Sequence, residues 1–207
     1  MKLKKGVKRF LAVFLILVIS GLVIAYLLMY NTKTVKKVKV LTTIDDYGYE
    51  LKDNKSAEYK KLFYKLQDIL KEKNVDEEKY VKTISKMFIF DFYSLDDKLA
   101  KTDVGGSDFV HADALTDFLE KAEDTMYKYL ESNIYGGRTQ KLPTVKKVTI
   151  QSVEKTPFTY KDKTDDEAYV VKLTWEYTDT STSNGYQTEA TLTFVHEDKK
   201  LSLVELQ

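Results

Sequence analysis

The chain has no cysteine, so no disulfide framework, thiol nucleophile or cysteine-bearing metal site can be written from it. It has two prolines, which leaves no room for a long rigid linker. It has two histidines, His111 and His196, far apart and without zinc-type spacing. No phosphate loop, no dinucleotide-binding glycine fingerprint and no G-x-S-x-G elbow occurs. Asp103, Asp108 and Asp113 stand five apart, which does not match the ligand spacing of a calcium loop. No catalytic set, metal or cofactor is therefore expected from motifs.

Acidic residues are missing from the first forty positions. Residues 1–40 carry nine basic side chains and no acid, out of 33 basic and 32 acidic residues in the chain. That leaves 24 basic against 32 acidic over 41–207, a net charge of −8. Nucleic-acid binding needs a basic footprint, so it is not expected of this acidic part.

Within the basic start, Phe10–Tyr30 runs without a charge. As a helix it would rise about 31 Å at ~1.5 Å per residue, close to the ~30 Å hydrocarbon core of a bilayer. Tyr26 and Tyr30 stand near its far end, where interfacial aromatics belong. A cleaved secretion signal is the rival reading, but signal cores run ~7–15 residues and end in small residues. The run predicts a single-pass helix in contact with the lipid bilayer. The basic tail 1–9 favours an N-terminus in the cytoplasm and the following domain on the outer face of a bacterial membrane, while Lys33, Lys36, Lys37 and Lys39 after the span leave a membrane-tethered cytoplasmic domain as the alternative. Residues 31–53 read as a juxtamembrane linker with a turn-rich end, and 54–207 as an extracytoplasmic domain.

In that domain the apolar period is first 3.6 and then 2. Tyr59, Leu62, Phe63, Leu66, Ile69 and Leu70 form one stripe of a helix over about Ala57–Lys73, with Asn54 or Ser56 as cap. A second helix starts after Asp76, with Glu77 and Glu78 in its first turn, and runs into "MFIFDFYSL". Ser94 and Asp97 suggest a short third helix ending near Ala100. A fourth spans about Ala112–Glu131. From Pro143 the pattern alternates. Tyr169, Val171, Leu173, Trp175 and Tyr177 share one strand face, and Asn184-Gly185 signals a hairpin. Helices in a block before strands predict an α+β fold, about four helices packed on a curved antiparallel sheet of about four strands.

A basic tail, one span, several helices and a four-stranded sheet together resemble the membrane-anchored members of the nuclear-transport-factor-2-like superfamily. The order is most similar to the bitopic scaffold proteins of bacterial conjugation and type IV secretion. That resemblance implies a non-enzymatic role in self-association or the docking of protein partners. The same superfamily holds small isomerase-like and cyclase-like enzymes, which use a carboxylate and a tyrosine inside the cone between sheet and helices. Asp91, Tyr93, Trp175 and Tyr177 are the residues here that could line such a cone. A carboxylate among aromatics would have its pKa raised by desolvation, as suits a base. Alternatively, Asp91 projects to solvent or caps the following turn.

"TDVGGSDFVHA" (Thr102–Ala112) reads as the corner between the third and fourth helices. Gly105 and Gly106 allow the reversal. Asp103, Gly105, Gly106 and His111 are candidates for a contact surface at the rim of the cone. His196, beside Glu197 and Asp198, reads as a solvated turn.

Overall fold

A computed structural model describes residues 5–31, 34–179, 181 and 183–207, with the side chains of Lys5, 8–10, Ala12, Tyr30 and Asn31 outside the description. The chain divides into two units, Met1–Lys36 and Lys37–Gln207.

The first unit holds one helix, α1 (Lys5–Asn31). The expected single-pass anchor is corrected: among the described residues, no helix is long and apolar enough to cross a membrane. The longest unbroken run of described side chains in α1 is Val13–Met29. Phe10 and Tyr30, the ends of the expected span, lie outside the described side chains. The single-pass placement, with a cytoplasmic N-terminus and an extracytoplasmic domain, rested on that span and falls with it.

The second unit begins earlier than the sequence suggests. Part of the expected linker is a hairpin, β1 (Val40–Ile44) and β2 (Tyr49–Lys52), closed by Gly48 at φ 67°. Tyr49 and Leu51 from it are fully buried. Helix α2 (Ala57–Lys71) starts where the Ser56 hydroxyl accepts a bond from Tyr59 N, 3.1 Å. It buries Tyr59, Phe63, Leu66 and Ile69, the expected stripe. Helix α3 (Glu77–Phe92) is capped by Asp76, which accepts from Lys79 N at 3.0 Å. α3 packs against α2 on one side and against the sheet on the other, so it is buried nearly all round from Tyr80 onward.

The main sheet has the order β3-β6-β7-β8, all neighbours antiparallel. Its strands are β3 (Val145–Lys155), β6 (Tyr169–Tyr177), β7 (Glu189–Glu197) and β8 (Lys200–Leu206). β4 (Phe158–Tyr160) and β5 (Lys163–Asp165) form a separate small hairpin. The alternating face of β6, from Tyr169 to Tyr177, is the buried one. The α+β class and the antiparallel meander agree with the pattern.

Two helix expectations change. Residues 94–100 form turns, because their backbone groups bond far along the chain: Leu95 N donates to Pro143 O (2.9 Å), and Arg138 donates to Asp96 O (2.6 Å) and Lys98 O (2.9 Å). α4 covers only Leu115–Asp124. Past it, Tyr127 N reaches back to Ala122 O and the Tyr127 hydroxyl donates to Phe92 O, 2.7 Å. Burying that tyrosine under α3 pulls the chain out of helical geometry.

Candidate functional site

Asp91 and Tyr93 are two positions apart at the end of α3, about 200° around a helix, so they face opposite ways. Asp91 points away from the sheet into a buried charge cluster. Its Oδ1 accepts from Lys55 Nζ (2.5 Å) and Lys98 Nζ (3.0 Å), and its Oδ2 from Gly106 N (3.0 Å). Lys98 also donates to Asp97 Oδ1, 2.5 Å. The set holds two lysines and two aspartates, so it is neutral overall. Burial would raise the Asp91 carboxyl, but Lys98 and Lys55 outweigh it and hold the group well below the usual carboxylate range. Burial would lower Lys98, but Asp91 and then Asp97 push it up instead. For Asp97 burial prevails over Lys98 and Lys55, and its carboxyl is raised.

This corrects the expected role of Asp91. It neither projects to solvent nor lines a cone with a raised pKa. An acid held ionised by two lysines has little affinity for a substrate proton, so it makes a poor general base.

The glycine pair serves this cluster. A Cβ on Gly105 would stand 2.3 Å from Asp91 O, and one on Gly106 would stand 2.7 Å from the Phe88 ring. Gly106 has φ +77°. Gly105 N donates to the Tyr127 hydroxyl, 3.0 Å. Both glycines are buried, so they are not a contact surface. Asp103 accepts from Leu99 N at 2.9 Å and braces the same corner. His111 accepts from Asp113 N through Nδ1, 3.1 Å, and caps the turn before α4. Glycines chosen for a turn and glycines chosen for close approach look alike in a sequence.

On the opposite face of α3 the other three expected residues do come together. The Tyr93 and Trp175 rings lie 4.3 Å apart. The Tyr93 hydroxyl donates to Gln187 Oε1, and the Tyr177 hydroxyl donates to Gln187 O, each 2.9 Å. Gln187, just before β7, had no sequence signal. Beside this group opens a groove of about 500 Å³ between α4, the end of α3 and β8. Phe92, Phe118, Met126, Leu203 and Leu206 make it apolar. Asp117, Lys121, Glu205 and Gln187 give it polar groups.

His196 is also not a solvated turn residue. Its Nδ1 lies 2.8 Å from Asp165 Oδ2 and its Nε2 3.3 Å from Glu77 Oε1. Glu77 also accepts from the Tyr169 hydroxyl at 3.0 Å, with Lys155 Nζ 3.6 Å away. The cluster ties β5, α3, β6 and β7 together. A neutral imidazole has one N–H to give, and the charged ring has two. For both acids burial acts upward and is outweighed. Asp165 is lowered by bonds from His196, and Glu77 by bonds from Tyr169 and His196. A depressed carboxylate contributes stability above its unfolded pKa of roughly 4, lost as pH falls through the folded value. Unfolding free energy is therefore expected to drop as pH falls below about 5. Asp165→Asn should flatten that drop, measured by urea titrations from pH 7 to 3. An unchanged slope would show that the contact has no linkage to folding.

Comparison of the chain with protein-family models, curated proteins and solved structures found no match. Among the described residues, no group of acidic and histidine side chains is arranged to hold a metal ion.

Proposed function

We propose that residues 37–207 form a protein-interaction domain, and that the groove between α4 and β8 is its docking surface. The observation that carries this reading is the groove itself: an apolar floor with a polar rim, on one side of a filled core. Apolar centres with polar rims are the usual anatomy of a docking patch. The most buried acid is committed to lysines, which removes the best candidate for proton-transfer chemistry.

Met126 lines the groove and is only partly buried. Met126→Lys would place a charge on the apolar floor with little harm to folding. Tagged full-length protein and the variant are compared for proteins recovered after cross-linking in the native cell. At least one protein is expected to fall about tenfold with Met126→Lys, the loss that ~1.4 kcal/mol produces. Identical recovery by both would sink the reading.

A second reading has one observation in its favour. The groove volume falls in the ordinary range for small-ligand sites, ~300–1,000 Å³, and Tyr93 with Gln187 offers polar anchors. Under it, a small apolar ligand raises the unfolding midpoint of the wild type and not of Met126→Lys.

A further inference from the structure

Among the described residues, the outer edge of β8 is paired only in its first half. There Val110 pairs in parallel with Leu203, and His111 N donates to Leu203 O, 2.9 Å. The chain then turns away at Ala112–Ala114. Further along, Thr191 and Gln207 exchange both backbone bonds, 2.9 and 3.0 Å. Antiparallel strands alternate, so the N–H and C=O of Leu206 point away from β7, toward the groove side of the sheet edge. A bare strand edge is a template for another strand.

The chain carries a segment of matching character. Thr34–Lys39 has no regular structure, and Val35 is 50% exposed. Asp53 N–H donates to Lys39 O (2.9 Å) and Lys39 N–H donates to the Asp53 carboxylate (Oδ1, 3.1 Å), which ties Lys39 to the end of the β1–β2 hairpin. Lys36, Lys37 and Lys39 carry positive charge with no acid among them. The groove lining has Asp117 and Glu205 against Lys121, on a domain of net charge −8 over 41–207.

We infer that the open half of the β8 edge receives residues 35–38 of a second copy of this chain as a fifth strand. Val38 of one copy faces Leu206 of the other, and the lysines meet Asp117 and Glu205. The exchange is reciprocal, so the assembly closes as a two-fold dimer. The inference rests on the docking role of the groove and names its occupant.

The absence of cysteine makes the test direct. Full-length Val38→Cys and Leu206→Cys proteins are mixed under mild oxidation, and linked peptides are identified by mass spectrometry. The mixed disulfide is expected at least fivefold above that formed with Tyr64→Cys, an exposed site on α2, in place of Val38→Cys. Lys36, Lys37 and Lys39 changed together to Glu should bring the yield down to that control. A yield no higher than the control overturns the proposal. So does a Val38→Cys/Leu206→Cys double variant that links within one chain only. If the disulfide fails while Met126→Lys still releases a recovered protein, the occupant is wrong and the docking role stands. If both fail, the groove is not a docking surface.

Discussion

Asp91→Asn is expected to destabilise the domain by about 3–5 kcal/mol, the usual cost of leaving a buried charge without its partner. The substitution keeps the shape of the side chain but removes the charge that Lys55 and Lys98 share. Both lysines are deeply buried, and Lys98 is 1% exposed. Asp97 is left to compensate two ammonium groups, at 2.5 Å from Lys98 and 4.0 Å from Lys55. The effect is measured by urea unfolding followed through Trp175, the one tryptophan, whose ring packs on Tyr93 at the end of the same helix. Adding Lys98→Met should recover part of the loss, because one uncompensated charge then goes with it. A cost under about 1 kcal/mol for Asp91→Asn would show that the cluster is solvated, since exposed pairs are worth no more than that. The depressed carboxyl of Asp91 also fixes a sign. Its contribution is present at neutral pH and lost as pH falls through the folded value, far below the unfolded value of roughly 4.

Gly105→Ala should cost about 3 kcal/mol, at the upper end of ordinary overpacking. The added methyl would meet Asp91 O at 2.3 Å, Asp91 C at 2.6 Å and Asp91 Oδ1 at 2.7 Å. Two of these are backbone atoms of α3, which has packed neighbours on both sides and cannot shift freely. Gly48→Ala provides the contrast. Gly48 has φ +67° and, among the described residues, nothing within 4 Å of a Cβ, so only the left-handed conformation is penalised, by roughly 1–2 kcal/mol. Equal losses for the two variants would mean that the corner does not press on α3. A larger loss for Gly105→Ala, with the midpoint read again through Trp175, supports close approach as the reason for this glycine.

Much of the architecture was readable from periodicity. The stripe of Tyr59, Phe63, Leu66 and Ile69 and the alternation from Tyr169 to Tyr177 each specify which face is buried, because local geometry repeats at 3.6 or 2 residues. Caps such as Ser56 and Asp76 are equally local, as each acts on an amide three residues ahead. The candidate site was readable only in part. Strand alternation put Trp175 and Tyr177 on one face, while Tyr93 joined them, together with Asp91, only through the resemblance to cone-shaped domains. Gln187, which holds two of their hydroxyl-bonded contacts, has no periodic signature at all.

Sequence alone determined the α+β class, the antiparallel meander and the acidic balance of 41–207, all of which depend on neighbours in the chain or on composition. Tertiary structure decided the rest. Asp91 reads as a base when only its aromatic neighbours are counted. It becomes a fixed anion once Lys55, 36 positions earlier, and the Gly106 amide, 15 positions later, are brought against it. His196 reads as a turn residue until Asp165 and Glu77 arrive from 31 and 119 positions away. The charge state of a buried group is set by what surrounds it in space. Those surroundings come from parts of the chain that no local pattern connects.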